Sequence, residues 1–211
     1  MSLANAYLTL SGAVDADITR GERLAHRTTY RIGGPAAMLA VCHTPAALSR
    51  VIEVLGAQGV EWVVMGKGSN LLVSDAGFDG CVIVLGREFS RIEVLAEDNK
   101  IVAGAAVPLS RVVTAATKAS MSGLEFACGI PGTLGGAVSM DAGTRREWIG
   151  RRIESLVVFR PGRGLMRVWG TDVEWGYRWT SLGGADIVLE ATLALDPGDR
   201  AQITAQMERL L

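Results

Sequence analysis

A chain of 211 residues, 49% hydrophobic and 20% charged, can bury one large core or two modest ones, the balance of an ordinary soluble protein. Its formal net charge of −1 gives no support for nucleic-acid or acidic-membrane partners, while leaving room for a local basic patch, and no apolar run approaches the length of a membrane span. Cys42, Cys81 and Cys128, widely spaced in apolar surroundings, read as buried reduced thiols of a cytoplasmic protein, while His26 and His43, with no cysteine or carboxylate cluster near them, give no metal site.

The opening segment, Met1 to Leu10, lacks the basic region of a secretory leader. Met38 to Cys42 reads as a strand. Thr44 and Pro45 then open a helix through Leu55, with Leu48, Val51, Ile52 and Leu55 on one face, and Val60 to Met65 is the next strand. This βαβ unit feeds Gly66-Lys67-Gly68-Ser69-Asn70-Leu71-Leu72. Two glycines there permit a tight turn with φ values other residues avoid, and they open the amide N–H groups to a bulky anion. Ser69 and Asn70 add side-chain donors and Lys67 a cation. The spacing is not a dinucleotide fingerprint, because Leu71 stands where a third glycine is required and no amphipathic helix follows. It is not a P-loop either, since Lys67 is followed by Gly68. An anion held here is held between strands, because the strand-like run Cys81 to Leu85 comes next. Taken alone, the motif reads more readily as a plain glycine turn.

Beyond Leu85 the pattern changes. Ile92 to Leu95 and Ile101 to Ala103 predict a hairpin around Glu97-Asp98-Asn99, and Pro108 to Met121 a helix with Val112, Val113, Ala116 and Ala119 toward a core. A second glycine run, Gly123 to Ala137, carries Gly129, Gly132 and Gly135-Gly136, stiffened by Pro131. A loop of this kind leaves amides free for an anion or for edge-on packing against a flat ring. A tight helix-to-strand connection accounts for two of these glycines and not for four. Ile153 to Phe159 and Leu165 to Trp169 flank a second hairpin turn, Arg160 to Gly164, and Ile187 to Leu195 alternates like a strand. Asp196 to Asp199 is a turn, and Arg200 to Leu211 a final helix. A boundary near Gly86 divides the chain into lobes 1–86 and 87–211, an α+β arrangement of two mixed α/β lobes. Two glycine loops in two lobes point to one long ligand.

In order and spacing, Thr29 to Ala36 (Thr-Tyr-Arg-Ile-Gly-Gly-Pro-Ala), Gly66 to Val73, Gly123 to Ala137 and Gly176-Tyr177-Arg178 resemble the UDP-N-acetylenolpyruvoylglucosamine reductases over nearly the whole chain. The resemblance implies an FAD-binding fold of the vanillyl-alcohol-oxidase (PCMH) type with FAD between two lobes. It implies that Arg31, Gly66, Lys67, Gly68, Ser69, Asn70 and Leu71 bind the cofactor, the Gly66 loop clamping its pyrophosphate. It further implies that Gly129, Ile130, Pro131, Gly132, Gly135, Gly136 and Gly143 run along the flavin. NADPH as hydride donor, a UDP-sugar substrate and a place in peptidoglycan precursor synthesis follow from the same resemblance. Arg178 matches the family's catalytic arginine, which stabilises charge on the substrate carboxylate. Tyr177 is expected to pack beside it or to lie near the substrate. Oligomeric state is not readable from these residues.

The chain also departs from the family. The family's proton donor is a serine in a Gly-Ser-Phe-Phe-Lys-Asn-Pro-like segment, assisted by a glutamate near the C-terminus, both in a third, substrate-binding domain. Neither segment is present, and Ser181 follows Arg178 too closely to be that serine. The chain is therefore expected to be the FAD-binding portion of the reductase. The alternatives are a stand-alone FAD-binding protein without reductase activity and, more weakly, the FAD subunit of another oxidase or hydroxylase. A milder departure is Met140-Asp141-Ala142-Gly143-Thr144-Arg145-Arg146, where the family has asparagine and then Ala-Tyr-Gly. Asp141 is expected to lie near the flavin with Arg145 or Arg146 offsetting its charge.

Overall fold

The computed structural model describes residues 2–210; Met1 and the expected helical residue Leu211 lie outside them. The chain separates into two compact units, Met1–Glu88 and Phe89–Leu211.

In the first unit, helix α1 (Leu3–Leu10) precedes β1 (Ala16–Arg23), β2 (Pro35–Cys42), α2 (Pro45–Gln58), β3 (Trp62–Val64) and β4 (Phe78–Leu85). The sheet order is β1-β2-β4-β3, with β1 antiparallel to β2 and β4 parallel to both of its neighbours. Leu39 fixes the register, lying opposite Thr19 on one side and Val82 on the other. Helix α2 starts where the Thr44 hydroxyl accepts from the Ala47 N–H at 3.1 Å and Pro45 occupies the first turn, and it ends at Gly59 with φ 65°. Its Leu48, Val51, Ile52 and Leu55 are buried as the periodicity predicts, and it runs past Leu55 to Gln58. The third strand is shorter than the expected Val60–Met65, although the Met65 N–H still donates to the Ile83 carbonyl at 2.8 Å and the Met65 side chain joins the core. Neither α1 nor β1 is announced by an apolar pattern. An edge strand such as Ala-Asp-Ile-Thr-Arg-Gly-Glu-Arg bonds on one side only and tolerates polar residues along most of its length.

One core cluster of this unit holds Leu24, Ala36, Leu39, Met65 and Val82, with Leu71, Val73 and Phe78 packed against it. The apolar residues that follow the glycine loop thus tether it to the sheet.

The second unit is built on a five-stranded antiparallel sheet, β5-β6-β12-β8-β9. Here β5 (Ile92–Leu95) and β6 (Lys100–Gly104) form the expected hairpin, turning at Asn99 with φ 53°. Helix α3 (Leu109–Lys118) buries Leu109, Val112, Val113 and Ala116, and the short β7 (Met121–Ser122) follows. Helix α4 (Leu134–Ser139) packs on the sheet, and β8 (Ile153–Arg160) turns through Gly162 and Gly164 into β9 (Gly164–Trp169). A two-stranded hairpin, β10 (Trp175–Gly176) and β11 (Trp179–Thr180), precedes β12 (Ile187–Ala194); β13 (Asp196–Pro197) pairs with β7, and α5 (Arg200–Glu208) packs on α3.

Helix α4 corrects the reading of Gly129–Gly136 as one continuous loop. Its sequence, Leu-Gly-Gly-Ala-Val-Ser, has poor helix propensity. Packing decides instead: a Cβ at Gly135 would stand 2.7 Å from the Ala105 Cβ, so only glycine lets the helix approach the sheet this closely. Burial pushes the Cys42 and Cys81 thiols up to about 12, as expected of inert core cysteines. Cys128 departs from that expectation, being half-buried with its sulfur 3.6 Å from the Met207 carbonyl.

Candidate functional site

In the first unit the segment 24–34 and the loop 66–77 are laced together. The Thr29 N–H donates to the Gly68 carbonyl at 3.1 Å, and the Gly34 N–H to the Ser74 carbonyl at 2.8 Å. Gly68 has φ 62°, and a Cβ there would run into the Arg27 carbonyl oxygen. Among the described residues, the backbone N–H groups of Gly66, Lys67, Gly68 and Asn70 meet neither backbone nor side-chain acceptors. Lys67 is exposed and carries no ion pair among the described residues. The same holds for Arg31, whose backbone is held at φ 55°, while Arg27 is occupied by Glu22 at 3.1 Å. Open amides with two unpaired cations on laced segments make an anion cradle. Leu71 differs from the other expected contacts in that its side chain packs on the core. Ser69 is half-buried and Asn70 exposed, and the same segments expose Tyr30 (61%), Ile32 (46%) and Leu72 (78%).

In the second unit the glycine run is only partly open. The amides of Leu134 and Gly135 donate to the carbonyls of Val107 and Ala105 at 2.9 Å each, and that of Gly136 to the Thr133 hydroxyl at 3.3 Å. The expectation that this run leaves its amides free therefore fails at its helical end. It holds at Gly129 (φ 77°) and Gly132 (φ 122°), whose N–H groups have no acceptor among the described residues. Ile130 donates its N–H to the Ala127 carbonyl, and Pro131 is exposed between the two glycines.

After α4 the chain forms a hairpin whose base is pinned by Asp141. This residue is 6% exposed, sits at φ 41°, and accepts the Gly150 N–H at 3.0 Å. The expected charge compensation by Arg145 or Arg146 is absent, since neither makes an ion pair among the described residues. Gly143 packs within the hairpin, where a Cβ would strike the Glu147 carbonyl and Trp148. Gly150 in turn lies against the Trp175 ring, whose N–H donates to the Gly170 carbonyl at 2.9 Å. Trp175 begins the β10–β11 hairpin, at whose tip stand Tyr177 and Arg178. Arg178 has φ 59° and an exposed side chain without a carboxylate partner among the described residues; its guanidinium lies 5.6 Å from the Tyr177 ring centroid. Tyr177 is 85% exposed and does not serve as a packing residue within this unit. Sequence reasoning missed this chain of support, because Asp141, Gly150 and Trp175 meet only in the folded unit.

Burial pushes the Asp141 carboxyl above its ordinary value, partly offset by the Gly150 N–H. A carboxyl raised in the folded state contributes its share of stability below the unfolded value and loses it as pH rises through the folded value. Asp141→Asn keeps an acceptor for Gly150, carries no charge and suits the left-handed backbone. The variant should melt a few degrees higher than the parent near neutral pH, and the gain should fade as pH falls through the raised folded value and be gone below 3.8, the ordinary carboxyl value. Thermal melts at the two pH values check this, and a lower neutral melting point for the variant would contradict it.

The two glycine loops and their scaffolds define a class. A family model described as FAD binding domain matches residues 36–161. A UDP-N-acetylenolpyruvoylglucosamine reductase 1 from Bacillus cereus is 37% identical over 201 residues, covering 92% of this chain and 66% of that protein. A UDP-N-acetylenolpyruvoylglucosamine reductase from Pelobacter propionicus is 37% identical over 203 residues, covering 96% of this chain and 66% of that one. The crystal structure of a UDP-N-acetylenolpyruvylglucosamine reductase from Thermus caldophilus superimposes with a TM-score of 0.79 at 32% identity, covering 92% of this chain and 67% of that chain. The chain belongs to the UDP-N-acetylenolpyruvoylglucosamine reductase family of FAD binding domain proteins. It spans 66% of the length of the two curated relatives.

Proposed function

We propose that this chain binds FAD and supplies the flavin-binding part of a reductase of peptidoglycan precursor synthesis, in which NADPH reduces the enolpyruvyl ether of UDP-N-acetylglucosamine to UDP-N-acetylmuramate. The observation that carries the reading is the glycine loop in which, among the described residues, the amides of Gly66, Lys67, Gly68 and Asn70 have no acceptor, Lys67 and Arg31 have no ion pair, and Gly68 leaves no room for a Cβ. That donor set fits a pyrophosphate: backbone N–H groups supply directed hydrogen bonds and the two cations supply neutralising charge. The open amides of Gly129 and Gly132 suit the flat flavin ring in the second unit. When bound, FAD would accept a hydride from NADPH and deliver it to the substrate.

This chain's own contribution to the chemistry rests on Arg178. Hydride addition at the β-carbon of the enolpyruvyl group builds negative charge on the α-carbon and its carboxylate. A guanidinium aimed at that carboxylate stabilises the charge as it develops. Arg178 is suited to this because its hairpin is anchored through Trp175 and its side chain has no ion pair among the described residues.

Flavin titration tests the reading. The purified chain should take up FAD with quenching of flavin fluorescence and a yellow bound spectrum. A folded chain that leaves added FAD unperturbed overturns the proposal. Uptake of FAD by a full-length gene product that is never reduced by NADPH would favour a flavin-binding protein without reductase activity.

A further inference from the structure

The hairpin between Asp141 and Gly150 carries a concentration of charge that the flavin site does not use. Arg145, Arg146 and Arg151 are all exposed and have no carboxylate partner among the described residues. Three other cations of this unit are committed, Arg152 to Asp196, Arg160 to Asp186 and Lys100 to Glu154. Glu147 is the one carboxylate between the three arginines in sequence, and Asp141 turns its own inward to Gly150. Residues 145–151 thus carry three arginines against Glu147, a local excess of positive charge on a chain whose net charge is −1.

The backbone that carries these cations is tied by local bonds, and the Arg151 guanidinium is itself held. The Thr144 hydroxyl accepts from the N–H groups of Arg146 and Glu147 at 3.2 Å each, and the Thr144 N–H donates to the Glu147 carbonyl at 2.7 Å. Arg151 stacks on the Trp148 ring with its guanidinium carbon 3.7 Å from the centroid, and it donates to the Arg146 carbonyl at 3.3 Å. Stacking leaves the edge of the guanidinium fork available to an oxyanion. The hairpin directly follows α4 and the glycine run and itself contains Gly143, which the resemblance also assigns to the flavin.

The geometry points to a phosphomonoester site at this hairpin, in which Arg145 and Arg146, supported by Arg151, bind the 2′-phosphate of the reduced dinucleotide. This rests on the reading of the protein as an NADPH-dependent reductase and adds the residues that separate NADPH from NADH. A phosphomonoester is close to a dianion near neutral pH and is best met by convergent guanidinium forks, whereas a 2′-hydroxyl gains nothing from them.

Binding of 2′,5′-ADP, 5′-ADP and 5′-AMP, measured by calorimetry on the parent and on Arg145→Ala/Arg146→Ala, tests the site without requiring turnover. The parent should bind 2′,5′-ADP about tenfold or more tightly than either of the others, and the double variant should lose that preference with an unchanged melting temperature. Equal binding of 5′-ADP and 2′,5′-ADP would mean general attraction of anions and overturns the site, as does a preference that survives the double substitution. Anaerobic flavin bleaching of the full-length gene product separates the two readings. A parent bleached by NADPH whose NADPH-to-NADH ratio is unaffected by the substitutions keeps the reductase and loses this site. A preference for 2′,5′-ADP in a protein that NADPH never bleaches keeps the site and loses the reductase.

Discussion

Arg178→Ala, assayed as the full-length gene product, should lower turnover of the enolpyruvyl sugar nucleotide about a hundred- to a thousandfold while leaving FAD content unchanged. The magnitude is that of removing one charge-stabilising donor from a transition state, and the side-chain contact of the residue with the exposed Tyr177 ring, at 5.6 Å, carries little of the loss into folding. Its side chain is exposed and without a carboxylate partner among the described residues. Its backbone, at φ 59°, is in a region that non-glycine residues occupy at a cost of about 1 kcal/mol. A substitution to glycine separates function from stability. Arg178→Gly should relieve that strain and raise the melting temperature slightly, yet fail in turnover as badly as alanine. Arg178→Lys keeps the charge but not the planar fork, and should recover only part of the rate. An alanine variant with parental turnover would remove Arg178 from the chemistry, and a glycine variant that melts lower would show the left-handed turn to be favourable in itself.

The parts of the fold readable from sequence are those set by local rules. Helix α2 declares itself through Thr44, Pro45 and an apolar stripe, and the hairpin of β5 and β6 through a turn that Asn99 completes in a left-handed conformation. Elements set by packing are silent. Strand β1 is polar because only one of its edges is bonded, and α4 is helical in spite of two glycines because the sheet demands close approach at Gly135. The site divides along the same line. The first glycine run is legible because a turn at φ 62° needs glycine, whereas the second overstates the open amides, three of which are spent on Val107, Ala105 and Thr133. Asp141 looks like a ligand-facing anion in sequence and acts as a structural pin in the fold, since its partner Gly150 is brought to it by the hairpin.

Gly68→Ala should lower FAD affinity by about a hundredfold or more and cost about 2 kcal/mol of stability. The φ of 62° alone would cost an alanine about 1 kcal/mol. The rest comes from the added methyl, which would overlap the Arg27 carbonyl oxygen and lie 3.0 Å from the Thr28 Cα. Both obstacles are backbone, so no rotamer change relieves them. The loop must back away from the 27–30 segment, which stretches the bond from the Thr29 N–H to the Gly68 carbonyl and displaces the neighbouring Gly66, Lys67 and Asn70 amides. Gly162→Ala supplies the control. That glycine has φ 77° in the turn between β8 and β9, and a Cβ there would meet nothing within 4 Å. It should cost about 1 kcal/mol from backbone strain alone and leave FAD affinity untouched. Flavin titration and thermal melts on the two variants then separate the strain common to both from the anion geometry specific to the first. A Gly68→Ala variant that holds FAD as tightly as the parent would place the pyrophosphate elsewhere, whereas selective loss of FAD at Gly68, with the sheet intact, follows if these amides are the clamp.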